Sequence, residues 1–149
     1  MQASKENLSA RLGVLLAQSD TTVGFFSHDQ DRLNRAKNSP KNKPLLRVGA
    51  CFKDLPRVPP KHRRLVRRLK ATFIYKGQAF RVVQDPETLV FLKRLGIVFS
   101  TSANLSGQSH DPKIAFALAD TIIEDRRGLA ARSPSKIIKL GRSYKRRLR

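Results

Sequence analysis

Residues 97–107 read Ile97-Val98-Phe99-Ser100-Thr101-Ser102-Ala103-Asn104-Leu105-Ser106-Gly107. The apolar run at 97–100 has the length and composition of a short buried strand. It opens at once into hydroxyls, an amide and a glycine, which together offer many hydrogen bonds to a polar ligand. Gly96 ends a helical pattern over 86–95, and Asp111-Pro112 starts another over 112–120 with an N-cap acid and a proline at the first helical position. Helix, buried strand, polar loop, helix is an α/β unit, and in open α/β sheets ligands bind at the carboxyl ends of strands. By composition alone the polar loop fits an ordinary capped turn equally well.

Working outward, strands and helices keep alternating. A short helix is expected over 4–12 with Ser4 as cap, and a buried strand over 13–18. Residues 19–26 (SDTTVGFF) pass from small and polar to apolar, as where a strand opens into a site loop. Ser27 and Gln30 resemble a capping box for a helix over about 29–37. Residues 38–44 (NSPKNKP) form a loop, and LLRV at 45–48 a strand. Pro59-Pro60 precede a basic helix over 61–69. ATFIY at 71–75 and AFRVV at 79–83 flank Lys76-Gly77-Gln78 as a β-hairpin. Asp85-Pro86 caps the helix over 86–95, and 121–124 and 136–140 are further strand candidates. The fold expected is a single α/β domain over 1–149, a twisted mixed sheet with flanking helices.

The chain has 31 Lys and Arg against 11 Asp and Glu, a formal charge of +20 over 149 residues. Residues 57–76 and 132–149 each hold eight basic side chains and no acid. Such fields attract phosphate backbones or nucleotides in a salt-dependent way. At 40% hydrophobic residues the chain can bury a real core. Cys51 is the only cysteine, which excludes an intramolecular disulfide and a multi-cysteine zinc site. No apolar run approaches the roughly 20 residues needed to span a bilayer. The start, MQASKENLSARLG, has no apolar signal core. A cytoplasmic protein without a membrane partner is expected.

Phosphate-loop, dinucleotide-fingerprint and zinc-protease motifs are absent. His28, His62 and His110 lack metal-ligand spacing and read as surface residues, and Cys51 as a buried structural thiol. Two more polar clusters, Ser19–Gly24 and Lys37–Pro44, stand beside the first, and each alone reads as a solvated loop.

Taken in order, the three clusters resemble the YrdC/Sua5 family of threonylcarbamoyl-AMP synthases. SDTTVGF at 19–25 is similar to the family's T-D-T-V-Y-G-L block, and KNSPKNKPLL at 37–46 to its K-x-R-P block. STSANLSG at 100–107 fits the S-T-S-A-N-x-S-G block throughout. AFRVV at 79–83 and PSKII at 134–138 look like the family's later strands. Ser39 stands where the family carries an arginine, and Val23 where it carries a tyrosine.

The resemblance implies a twisted sheet with a concave basic cavity. It also implies a reaction in which L-threonine, bicarbonate and ATP give threonylcarbamoyl-AMP and pyrophosphate. ATP would be a substrate, accompanied by Mg2+. Lys37, Ser39, Lys43, Asn104 and Arg149 would lie on the ATP side, and Ser19, Thr21, Arg81, Ser102 and Ser135 on the threonine side. No residue is expected as nucleophile, dedicated base or metal ligand, so catalysis would be positioning and charge stabilisation. Further expected partners are tRNA or double-stranded RNA, and the threonylcarbamoyl transferase that consumes the product. A non-catalytic RNA-binding relative on the same fold is the rival reading, and a small ribosome-associated protein a more distant one.

Overall fold

The computed structural model describes residues 11–149, so the helix expected over 4–12 lies outside the described residues except for its last two positions, which are helical. In chain order the elements are β1 (Leu15–Gln18), β2 (Val23–Ser27), α1 (Gln30–Ala36), β3 (Leu46–Gly49), a single 3-10 turn (Phe52–Asp54), α2 (Pro60–Arg68), β4 (Ala71–Tyr75), β5 (Gln78–Val82), α3 (Pro86–Leu95), β6 (Val98–Ser102), α4 (Pro112–Leu118), β7 (Thr121–Ile123), β8 (Lys136–Leu140) and β9 (Lys145–Arg147). The strands form one sheet in the order β7-β1-β2-β6-β3-β5-β4-β8-β9. β1–β7, β3–β5 and β4–β8 are parallel; β1–β2, β2–β6, β3–β6, β4–β5 and β8–β9 are antiparallel. This is the mixed α/β sheet that the alternating pattern predicts. No helix among the described residues is long and apolar enough to cross a membrane.

Side chains alternate across each strand, so every strand contributes a row to either face. On one face Val14, Leu16, Val23 and Phe25 pack with Leu33 of α1 and Ala115 of α4, while Phe73, Phe80, Ile138 and Leu140 pack with Val66 of α2. On the other face Leu15, Ala17, Phe26, Val48 and Val98 pack against Phe91, Leu92 and Leu95 of α3. Among the four labelled helices of the described residues, α3 alone has its buried residues on that second face, which leaves Thr72, Ala79, Arg81, Ser100 and Ser102 to line a pocket.

Local chemistry explains the boundaries. Asp85 and Asp111 accept hydrogen bonds from Thr88 N and Lys113 N, so both expected N-caps form, each followed by proline. At α1 the cap is Asp29, which accepts from Arg32 N, and not the Ser27 capping box; Ser27 Oγ instead accepts from Asp29 N. The β4–β5 turn is Lys76-Gly77, with φ of 49° and 76°, the pair of left-handed residues that a tight two-residue hairpin requires. The helix expected over 112–120 stops at Leu118, and the strand expected over 97–100 runs on to Ser102. His62, expected at the surface, is 4% exposed, and Cys51 is half-buried rather than buried. His28, His62 and His110 each meet a backbone carbonyl, of Leu95, Gly141 and Ala103 respectively.

Candidate active site

The uncovered part of the second face is a pocket of about 310 Å³. Its floor comes from β4, β5, β6 and β8, and its rim from the loops after β1, α1 and β7. Ser19, Thr21, Lys43, Arg81, Ser102, Ser135 and Arg149 line it, seven of the ten residues singled out from the sequence. Lys37, Ser39 and Asn104 are not among its lining residues. Thr72 adds a hydroxyl that was not singled out and Ser100 one from the polar block at 100–107, whereas Thr101, opposite Phe25 in the ladder, turns its hydroxyl to Lys37; no Asp or Glu side chain lines the pocket among the described residues. A Cβ on Gly24 would lie 3.0 Å from Thr101 O, so glycine keeps this strand close to its neighbour while leaving the floor open.

Arg81 anchors one end. Its Nη1 donates to Asp20 Oδ1 at 2.6 Å and to Thr21 Oγ1 at 3.2 Å; Nη2 donates to Thr72 Oγ1 at 3.0 Å and Ser135 Oγ at 2.9 Å. The four terminal N–H groups are thereby occupied, and the buried Nε has no partner. The Thr72 and Ser135 hydroxyls lie 2.8 Å apart, so one proton is shared between them and the other is free to donate outward. This end therefore presents hydroxyls polarised by a guanidinium whose charge Asp20 balances. Asp20 sits in the SDTT cluster, and only its burial with Arg81 distinguishes it from a solvated loop acid.

Lys37 lies behind the other end. Its ammonium donates to Thr101 Oγ1 and Ser102 O, both at 2.8 Å, with Ser102 Oγ at 3.4 Å. The side chain is buried and all three partners are neutral. Burial, with a smaller contribution from the charge of Lys43, lowers its pKa from 10.5 to about 8. An uncompensated buried cation gains most from an anion placed on the outer side of Thr101 and Ser102.

The rim is held by backbone contacts. Buried Asn34 donates through Nδ2 to Lys41 O (3.1 Å) and Lys43 O (3.0 Å), which fixes Lys43 at the pocket edge. Ser39 N donates to Asn34 O in the turn after α1, where Asn38 has φ of 55°. Asn104 closes its own loop: Nδ2 donates to Leu105 O and Gln108 O, and Oδ1 accepts from Ser102 Oγ. Lys37 O accepts from Ser106 N, joining the two loops. Arg127 reaches Ser19 O and Gln18 O while paired with Asp85 and Asp125. Burial opposes ionisation of Asp85, but the hydrogen bonds from Thr88 and the charge of Arg127 prevail and lower its pKa. Arg149 Nε donates to Ser135 O at 3.1 Å.

No group of three or more metal-ligating side chains occurs among the described residues. Among the described residues no Asp or Glu side chain lines the pocket, so a magnesium ion, which favours oxygen donors, would find only hydroxyl and carbonyl oxygens there.

This architecture is the YrdC/Sua5 fold. The chain superposes on E. coli YciO with a TM-score of 0.76 at 20% identity, covering 99% of this chain and 86% of that one. On P. abyssi Sua5 complexed with L-threonine the TM-score is 0.72 at 18% identity, covering 100% of this chain and 54% of that one. Full-length HypF in its phosphate- and nucleotide-bound form contains the same fold (TM-score 0.75, 15% identity, 99% and 28% covered). No family model matches the chain. In sequence it is 31% identical over 99 residues to the uncharacterized protein MG259 homolog of Mycoplasma pneumoniae, covering 65% of this chain and 22% of that protein. It is 26% identical over 125 residues to uncharacterized protein MG259 of Mycoplasma genitalium, covering 82% and 27%. The chain thus spans about a quarter of the length of the curated relatives it matches.

Proposed function

We propose that the pocket binds L-threonine and ATP and, with bicarbonate, forms threonylcarbamoyl-AMP and pyrophosphate. The observation that carries this reading is one pocket with two anion-receptive ends: the Arg81–Thr72–Ser135 hydroxyl cluster and the Thr101–Ser102 edge backed by Lys37. A carboxylate suits the first end, because a free O–H of the hydroxyl pair donates to it. Phosphates suit the second, where Lys37 lies behind the wall and Lys43 stands on the lining; Arg149, bonded to Ser135 O, adds its charge from the first end. The likeness to Sua5 complexed with L-threonine supports the assignment of the amino acid.

The threonine amine attacks the bicarbonate carbon and water is lost, leaving a carbamate. A carbamate oxygen then forms a bond to the α-phosphorus, and the bond from that phosphorus to the bridging oxygen breaks. Pyrophosphate leaves with the electron pair. No side chain of the pocket acts as a nucleophile in this scheme. Lysine and arginine charge offsets the negative charge that builds on the phosphates, and the hydroxyls orient the amino acid. The product is a reactive mixed anhydride, so a threonylcarbamoyl transferase acting on tRNA would consume it.

A second reading is favoured by one specific feature. The ammonium of Lys37 is taken up by Thr101 and Ser102, and both amide N–H groups of Asn104 by Leu105 O and Gln108 O, so neither donates to a ligand without a rearrangement. On that reading the chain is a non-catalytic RNA-binding member of the fold. Pyrophosphate release that requires both threonine and bicarbonate supports the first; RNA binding with no such release supports the second.

A further inference from the structure

The two acid-free basic segments meet in space, on the sheet face opposite the pocket. α2 packs on β4, β5 and β8 through Val66, Phe73, Phe80, Ile138 and Leu140, whereas the pocket is lined by Thr72, Arg81 and Ile137 from the alternate rows. The turn between β8 and β9 is fastened to the start of α2. His62 Nε2 donates to Gly141 O at 2.9 Å, and Lys61 Nζ donates to Ser143 O. Lys145 and Arg147 of β9 pair with Leu140 and Ile138, which places them on the α2 side of the sheet.

Along α2, Lys61, Arg64 and Arg68 recur at helical spacing and line an open groove of about 450 Å³ with Leu65 and Leu69. The salt bridges among the described residues all use arginines from outside the two segments: Arg32, Arg81, Arg126 and Arg127. At the Lys61 end of the groove stands Tyr144, 55% exposed. Its ring occupies the space that a Cβ on Gly141 would fill, and its carbonyl accepts from Gly141 N at 2.8 Å. The ring is thus seated on a backbone with no side chain beneath it, inside a strongly positive surface.

We propose that α2 and the Gly141–Tyr144 turn form a docking face for single-stranded nucleic acid, with phosphates along Lys61, Arg64 and Arg68 and one base stacked on Tyr144. Charge complementarity selects a polyanion, and the aromatic platform selects one whose bases are unstacked. An anionic bilayer fits less well, because Val66 is fully buried and Leu65 and Leu69 pack against the core, leaving no broad apolar face. The proposal is independent of whether the pocket is catalytic, since the two lie on opposite faces.

Fluorescence anisotropy with a labelled oligouridylate, an oligothymidylate and an RNA duplex tests this, with phosphatidylserine vesicles in a sedimentation arm. Wild type should bind the single strands more tightly than the duplex, the two single strands separating RNA from DNA. Arg64→Glu/Arg68→Glu should weaken single-strand binding at least tenfold and reduce the salt slope by about 1.4, roughly 0.7 per lost phosphate contact. Tyr144→Ala should weaken it about fivefold or more without changing duplex binding. Gly141→Ala, which displaces the ring but leaves it in the chain, should do the same, and Tyr144→Phe should retain binding. Lys93→Glu/Arg94→Glu on α3 carries the same charge change and should be nearly silent. The proposal is overturned if the α2 variant binds like wild type, if the α3 control loses as much, if the duplex is preferred, or if vesicles bind with the same dependence on Arg64 and Arg68. Pyrophosphate release by the same variants should stay at the wild-type level, so failure here is distinguishable from failure of the catalytic reading.

Discussion

Arg81 and Asp20, 61 residues apart in sequence, meet at 2.6 Å with side chains 6% and 5% exposed. The pair ties the loop after β1 to β5 and puts the Thr21, Thr72 and Ser135 hydroxyls around one guanidinium. Removing one partner leaves the other charged and buried. Asp20→Asn should therefore lower unfolding free energy by about 3–5 kcal/mol in denaturant titration. Replacing both, as Asp20→Leu/Arg81→Met, should recover much of that stability while losing threonine binding. A single variant as stable as wild type would show that the pair is not what organises this end of the pocket.

On the catalytic reading, Lys37 would make nucleotide binding pH-dependent with a definite sign. Its pKa in the folded protein is lowered to about 8 from 10.5, so below pH 8 it is charged and above pH 8 it loses its proton. A bound anion favours the charged form. ATP affinity should be flat below pH 8 and fall above it, by up to about tenfold per pH unit. Calorimetric titrations across that range should lose this bend in Lys37→Met.

The same shift acts on stability. Between about pH 8 and 10.5 the unfolded chain holds the Lys37 proton and the folded chain does not, so this residue's contribution rises with pH. Fully developed, it amounts to about 3 kcal/mol, at 1.36 kcal/mol for each pKa unit. The wild-type minus Lys37→Met difference in unfolding free energy should move in that direction on raising pH from 8 to 10.

Asn104 holds the loop after β6 through Leu105 O, Gln108 O and Ser102 Oγ. Asn104→Ala should leave the sheet folded but loosen residues 104–108, at a cost of about 1–3 kcal/mol. Hydrogen exchange should accelerate there and not in β1 or β6, with weaker ATP binding as the functional consequence. Unaltered exchange in the loop would contradict the role assigned to the amide.

Arg127 fastens the Ser19 turn from outside, through Gln18 O and Ser19 O, and is itself held by Asp85 and Asp125. On the catalytic reading, Arg127→Ala should raise the threonine KM more than it lowers kcat, because it frees a rim loop without touching the Thr101–Ser102 end.

Much of this was legible because it is local. Asp85-Pro86 and Asp111-Pro112 carry their own cap and first turn, and Lys76-Gly77 carries its own hairpin geometry. β9 was not legible: Lys145-Arg146-Arg147 is exposed at every position, has no apolar alternation and is a strand only through its ladder with β8. In the site, Ser19, Arg81 and Ser135 stood out as polar residues in blocks whose order matched a known pattern. Thr72 and Asp20 did not, since their importance comes from partners 63 and 61 residues away. The inward bonding of Lys37 and Asn104 is likewise a matter of tertiary packing that no local signal encodes.

The most direct test of the catalytic reading is pyrophosphate release by the purified chain supplied with ATP, Mg2+, L-threonine and bicarbonate. The account predicts release that falls to background when threonine or bicarbonate is omitted, and that is lost in Lys37→Met. Release indifferent to threonine, or none from a folded protein that binds ATP, would contradict it.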